Sequence, residues 1–317
     1  MVIGLYEEWM RPQVSEMFSS QYGILKEDFE TLCRQFYEHP FQKDKCIRIV
    51  ALEEKRVIGF QSFFYWPYTL GSKTYNSYQS GNSLVHPDFR GKGIFQKMLE
   101  YLDEHRVRMG VDFLIGFPID ASRNSLLTNR WKNLFNLKWQ IRLMNPFSFA
   151  SPVNIAELKA ALSDTPVSPS ESQEVIRLSE DQGFLDWRTN YSEKNIYGRY
   201  TYKKNNGAAC FTLKLNRRNF FITELIIGNF EYSSASEHFI NESLASLISK
   251  IRPLRFITML SIAMNDRASS SLLGPLSDQG FRKINREIYF MVKLFVPDQK
   301  LNNPGIWNVY RHDIDTW

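Results

Sequence analysis

Arg90-Gly91-Lys92-Gly93-Ile94-Phe95 joins two segments of different periodicity. Ahead of it, residues 74–85 read as one extended, aromatic-rich segment, closed by a His86-Pro87-Asp88 turn. Behind it, Phe95, Met98, Leu102 and Met109 fall on one stripe at helical spacing, which predicts a helix over 94–109. A strand therefore ends, a basic glycine turn follows, and a helix begins. Backbone N–H groups at a helix N-terminus have no partner within the helix and favour an anion. Glycines let such a backbone approach a diphosphate without side chains in the way. Arg90 and Lys92 add positive charge. The segment reads as a phosphate cradle, against the plainer reading of a solvated basic turn that starts a helix.

Two common nucleotide loops do not fit. No Gly-Lys-Ser/Thr closes a loop opened four residues earlier, and a lysine stands where the third glycine of the dinucleotide fingerprint belongs. The segment instead resembles the pyrophosphate loop of the GNAT acyltransferase superfamily, whose pattern is Arg/Gln-x-x-Gly-x-Gly/Ala after a strand ending in Val. Val85, Arg90 and Gly93 match, as does the run Val-x-Pro-x-x-Arg-Gly-Lys-Gly that begins at Val85; Phe95 departs from the final Gly/Ala. The resemblance implies acetyl-CoA, or another acyl-CoA, as co-substrate. It places the cofactor contacts at Ser83, Leu84 and Val85 on the strand and at Arg90, Gly91, Lys92, Gly93, Ile94 and Phe95 in the loop. It adds Asn124, on a later helix, as a partner of the pantetheine arm.

Composition sets the outer bounds. A chain of 317 residues, 43% of them hydrophobic, is comfortable for two domains. No stretch approaches the roughly 20 apolar residues that span a bilayer. The first eleven residues carry Glu7 and Glu8 and do not read as a secretory signal. Three widely spaced cysteines suit a reducing cytoplasm, and five scattered histidines show no metal-ligand spacing. A net charge of +5, spread along the chain, speaks for an anionic co-substrate rather than for nucleic acid. The oligomeric state is not readable from the sequence.

Along the chain, strands are expected at 2–6, 47–53 and 57–66, with helices at 12–20 and 26–37 between the first two. The strand at 74–85, the loop and the helix follow, then a buried strand at 113–117. A helix capped by Asp120 or Ser122 is expected to run to about Phe135, before a strand at 138–143. This is α/β (α+β) organisation. Over residues 1–145 its order resembles the GNAT fold, a mixed, mainly antiparallel sheet flanked by helices. Residues 146–180 read as a linker around a short helix at 155–162. Residues 181–317 repeat the later part of the pattern: strands at 197–203, 208–215 and 220–227, a helix at 236–251, a strand at 255–263, a helix at 269–279 and a strand at 287–296. Gly228-Asn229-Phe230-Glu231 stands where a second phosphate loop belongs and lacks its pattern. The second half thus looks like a degenerate GNAT-like domain that shapes the acceptor site.

Acyl transfer also needs a base for the acceptor and an acid for the leaving thiolate. In GNAT relatives the base is often a Glu on the fourth strand, and here that strand holds no acid. The candidates are Tyr78 on the strand, His86 in the turn, Asp120 after the fifth strand and Asp315 in the C-terminal tail, each with a structural role as the competing reading. Relatives often carry a tyrosine acid on the helix after the fifth strand; this chain offers Trp131 and Phe135. No cysteine neighbours a histidine in sequence, so transfer is expected to be direct. The expected function is N-acyl transfer to the amine of a small polar or sugar-derived acceptor, an amino sugar or nucleotide-linked sugar among them. The alternatives are O-acyl or aminoacyl transfer of the tandem GNAT-like type, and a non-catalytic acyl-CoA-binding regulatory module.

Overall fold

The basic glycine turn does lie between a strand, Ser77–Val85, and a helix, Ile94–His105. The computed structural model describes residues 1–145, 151–162, 175–190, 195–219 and 221–315. Its first elements are β1 (Val2–Leu5), α1 (Arg11–Tyr22), α2 (Lys26–Leu32), β2 (Ile47–Glu53), β3 (Arg56–Tyr65), β4 (Tyr68–Leu70), β5 (Lys73–Tyr75), β6 (Ser77–Val85), α3 (Ile94–His105), β7 (Phe113–Gly116), α4 (Asp120–Thr128) and β8 (Lys132–Leu143). They continue with α5 (Ile155–Ala161), β9 (Ile176–Leu178), α6 (Gln182–Asn190), β10 (Ile196–Lys204), β11 (Gly207–Arg217), β12 (Thr223–Tyr232), α7 (Glu237–Ile251), β13 (Met259–Met264), α8 (Leu273–Asp278) and β14 (Arg282–Leu294).

The chain forms two units. The first comprises Met1–Phe135, Leu178–Ser192 and Tyr289–Asn302. Its strands β1, β2, β3 and β6 are antiparallel neighbours, β7 lies parallel to β6, and the end of β14 closes the sheet antiparallel to β7, with Met291 opposite Gly116. Strand alternation sorts the side chains between two faces. Ile49, Phe63, Tyr78 and Leu114 meet Ile94, Met98 and Leu102 of α3 on one face. On the other, Phe60 and Phe64 pack with Phe18, Phe36 and Tyr37, and Trp187 of α6 lies 5.1 Å from Phe36. The aromatic content noted in the sequence is thus largely core.

The second unit comprises Asn136–Arg177, Glu193–Ile288 and Asn303–Trp317. Here β10, β11 and β12 form an antiparallel meander, α7 crosses over, β13 returns parallel to β12, and residues 136–143 of β8 lie antiparallel to β13. This is the order seen for β2, β3, β6, α3 and β7. Ile240, Leu244, Leu247 and Ile251 are the buried stripe of α7. The closing strand of each unit thus comes from the other half of the sequence, so the unit boundaries differ from the expected division at 145 and 181. The expected linker at 146–180 falls in part outside the described residues; α5 and β9 lie within it.

Several expectations are corrected. The helix expected to reach Phe135 ends at Thr128, and Asn129 with Arg130 (φ 64°) turns the chain into β8. Phe135, Leu137 and Trp139 are buried at strand spacing, and Phe135 stacks on Phe290 at 4.6 Å. Trp131 and Phe135 are therefore not on a helix. The strand expected over 74–85 is broken at Asn76, whose N–H donates to Asp112 Oδ2 at 2.8 Å; β5 turns back to pair with β4. The expected helix at 26–37 widens into a π-turn over Cys33–Tyr37. Gly228 to Glu231 is the interior of β12, not a loop, and the strand expected at 255–263 begins only at Met259. The helix α6 had no counterpart in the sequence reading.

Candidate active site

The site is built around β6, where pairing changes. Its register against β3 runs Phe60↔Leu84 and then Ser62↔Gly81, so Asn82 and Ser83 stand opposite Gln61 alone. This is a β-bulge. Asn82 adopts φ 47°, a left-handed conformation that asparagine tolerates better than most residues. Its carboxamide donates to the Tyr37 hydroxyl at 2.7 Å. Beneath the bulge, the wholly buried Gln61 donates to Ser62 O (2.6 Å), Gly81 O (3.1 Å) and Ser80 Oγ (3.1 Å), and the Ser83 hydroxyl donates to its Oε1.

On its other edge β6 pairs with β7 only through Gln79↔Ile115. It then continues to Val85 with no strand on that side, while β7 ends at Gly116. The edge of β6 from Ser80 to Val85 is thus unpaired on that side. Ser83, Leu84 and Val85 line this free stretch, and Leu84 itself is buried.

The loop joins the end of this free edge to α3. Gly91 (φ 75°) and Gly93 (φ 71°) are both left-handed, and a Cβ built on either would meet nothing within 4 Å. The backbone N–H groups from Gly91 to Gln96 make no hydrogen bond among the described residues, and the first turn of α3 carries no acid. The arrangement can receive an anion on backbone donors alone. Arg90 is exposed, and its Nε donates to Val85 O at 3.2 Å and Nη2 to Gln21 Oε1, which ties the loop to the end of β6 and to α1. The Lys92 ammonium lies 4.6 Å over the Phe89 ring. Ile94 is buried under the helix and Phe95 packs at the edge of the same core.

The four expected proton-transfer residues are not gathered in one place. Tyr78 is buried in the core beside Tyr65, and burial pushes its phenol up to about 12. His86 starts the short helical turn before the loop: Nδ1 accepts the Asp88 N–H, and Nε2 lies 2.8 Å from Arg56. Asp120 is exposed in the first turn of α4, just after β7. Neither it nor Ser122 caps that helix, because Ile119 holds the cap position without a side-chain bond. Asn124 is exposed one turn further along. Asp315 belongs to the second unit and is half-buried. The tail before it packs on β12 and β13 of that unit: Asn265 donates to Val309 O at 3.0 Å, and Asp313 accepts the Tyr310 N–H at 2.8 Å.

Tyr37, Gln61 and Ser62 were not singled out by sequence. The one available signal was polarity inside an apolar run, as at Gln61 and Ser62 between Phe60 and Phe63. Along α3 from Gln96 to Arg106 a groove of about 710 Å³ is lined also by Arg130, Lys132 and Lys293. No group of His, Cys, Asp or Glu among the described residues could hold a metal ion. No helix among them is long and apolar enough to cross a membrane.

Residues 11–123, which span β2, the bulged β6, the loop and α3, match the family model of the acetyltransferase (GNAT) domain. Over these residues the first unit is similar to a GNAT acetyltransferase domain. That likeness supports enzymatic acyltransferase activity. Among solved structures, the chain is similar to a GCN5-related N-acetyltransferase from Anabaena variabilis, with 13% identity and a TM-score of 0.62 over 92% of this chain and 73% of that one. It is similar to a probable N-acyltransferase from Enterococcus faecalis, with 12% identity and a TM-score of 0.57 over 92% and 72%. It is also similar to the N-myristoyltransferase of Saccharomyces cerevisiae, in a structure with bound myristoyl-CoA, with 10% identity and a TM-score of 0.53 over 92% and 78%. At these identities the likeness is one of fold. No curated protein matches the chain.

Proposed function

We propose that this protein is an acyl-CoA-dependent N-acyltransferase, using acetyl-CoA or a related thioester, that acts by direct transfer to the amine of a small polar acceptor in the cytoplasm. The observation that carries the reading is the run of unbonded N–H groups from Gly91 to Gln96 at the end of a free strand edge. The donor set fits the co-substrate. A diphosphate suits the loop, and an extended amide-bearing arm suits the unpaired edge of β6. Its remaining length brings a thioester toward the end of β6–β7 pairing. We read Asn124, exposed on α4, as a partner of the arm.

In the reaction the acceptor nitrogen adds to the thioester carbonyl carbon. A C–N bond forms, the C–S bond breaks, the nitrogen's proton passes to a base, and the sulfur leaves as thiolate and takes a proton. We assign the base to Asp120, the one carboxylate among the candidates that stands in the first unit beside the end of β7. His86, with both ring nitrogens engaged in the turn, and Tyr78, neutral in the core, serve the structure of the strand and loop. Asp315 and the rest of the second unit, which we read as a GNAT-like domain without a cofactor loop, shape the acceptor site. An amino sugar or nucleotide-linked sugar suits such an acceptor.

The absence of any carboxylate on β6 favours a second reading, a non-catalytic acyl-CoA-binding module. Thiol release from acetyl-CoA, measured against amino sugars, polyamines and amino acids, separates the two. Release that requires one class of amine supports the transferase. CoA binding with no release for any amine or hydroxyl acceptor supports the module.

A further inference from the structure

Arg142 of the second unit stands where a guanidinium is costly. It lies opposite Leu260 in the pairing of β8 with β13, and Leu260 is wholly buried in the core under α7. Directly opposed side chains share a face, so Arg142 leaves the sheet on the side of that helix. There it is half-buried, and its Nε is shut off from solvent with no hydrogen-bond partner among the described residues. The turn after α8 leaves room for it. Gly280 (φ 78°) has no Cβ, and a Cβ at that position would stand 3.1 Å from Arg142 Nη1. Burial lowers the pKa of Arg142 from its ordinary value, and the charge of Arg252, at the C-terminal end of α7, lowers it further. A guanidinium nonetheless stays charged near neutral pH. A charge in such a place ordinarily has a counter-charge.

The arginine faces a cavity of about 430 Å³. Ile141, Arg142 and Leu143 of β8 line it, together with Gly280 and with Arg282, the first residue of the neighbouring strand β14. None of these residues is acidic. Arg252 has a structural reason for its place, because a cation is favoured at a helix C-terminus. That reason does not extend to Arg142, which is on a strand. Two guanidiniums on one cavity offer planar forks that match the oxygens of an anion. Charge selects among anions. A carboxylate brings a single negative charge, whereas a phosphomonoester brings about −1.5 to −2 near pH 7 and three strong acceptor oxygens. It therefore answers both arginines of the lining at once. A cavity of this size also has room for a small molecule that carries the phosphate.

We propose that this cavity binds a phosphomonoester carried by a small molecule, with Arg142 and Arg282 as its two guanidinium contacts and Arg252 adding to the positive field. The site is built from the second unit alone and makes no use of the loop at Gly91 and Gly93, so it does not rest on the acyl-CoA reading.

The test is calorimetric titration of the full chain at fixed ionic strength with glycerol 3-phosphate, glucose 6-phosphate, inorganic phosphate and gluconate. At least one of the two phosphomonoesters is expected to bind the unaltered protein about fivefold or more tightly than gluconate, which carries a carboxylate. Arg142→Gln and Arg282→Gln are each expected to weaken that binding about tenfold or more, the scale of a lost charge-assisted hydrogen bond. Arg108→Gln, which removes the same charge from an exposed position of the first unit, is expected to leave it unchanged. If neither phosphomonoester binds, or if both bind Arg142→Gln as well as the unaltered protein, the proposal is overturned. Equal binding of gluconate contradicts the choice of phosphomonoester. Binding of inorganic phosphate alone makes the cavity a free-ion site and contradicts it too. Should Arg142→Gln not fold, Arg282→Gln, at an exposed position, carries the test with the same outcomes.

Discussion

The Asn82 carboxamide donates a 2.7 Å hydrogen bond to the hydroxyl of Tyr37, which fastens the bulge of β6 to the turn after α2. Asn82 is in a left-handed conformation and Tyr37 is buried, so each holds the other in a state it would not keep alone. Burial also raises the Tyr37 phenol well above its ordinary range, so it stays neutral.

Tyr37→Phe removes the acceptor and leaves the Asn82 amide short of a partner. Asn82 is half-buried, so the loss is that of one ordinary hydrogen bond, about 0.5–1.5 kcal/mol. Thermal unfolding of the variant is expected to shift down by a few degrees, with no change in secondary-structure content. An unaltered midpoint would show that the bulge is held by Gln61 and its neighbours instead.

The cysteines bear on direct transfer. Burial pushes the Cys33 and Cys46 thiols up to about 12, so neither supplies a thiolate near neutral pH. A triple Cys→Ser variant is expected to retain turnover, and loss of all turnover in a folded variant would establish an acyl-cysteine path. The same shifts set a pH window. A thiol whose folded pKa is raised contributes stability that is complete below its ordinary value of 9.0 and is lost as pH rises toward 12. Denaturant midpoints should therefore fall progressively across that alkaline range, and the fall should be smaller when Cys33 and Cys46 are replaced by Ala.

Asp120→Asn tests the proposed base. Losing a general base typically costs 10²–10⁴ in rate. Turnover is expected to drop by at least a hundredfold while CoA affinity is kept, because Asp120 stands on α4 and not in the loop. If the variant runs at full rate, Asp315→Asn in the second unit becomes the decisive substitution.

Much of the first unit was legible because its signals are local. The alternation at 47–53, the apolar run at 113–117 and the stripe of Met98 and Leu102 each specify an element within one short window. The glycines of the loop are legible for the same reason. What escaped depends on distant partners. Residues 132–135 fit a helical continuation of α4 until the turn at Arg130 is known, and Trp131 then proves to pack against Gly116. The exchange of closing strands is a pairing choice between segments more than a hundred residues apart, and hydrophobic pattern does not encode it.

The central claim is that backbone N–H groups over Gly91 and Gly93 bind the CoA diphosphate, and titration calorimetry with CoA tests it most directly. Valine at position 93 would be strained at φ 71° and would fill the open space above the loop. Charge-assisted hydrogen bonds contribute about 1.5–3 kcal/mol each, so losing even one should weaken binding tenfold or more. The account predicts CoA binding by the unaltered protein and at least a tenfold loss in Gly93→Val at an undiminished far-ultraviolet dichroism signal. Undiminished CoA affinity in the folded variant would contradict it.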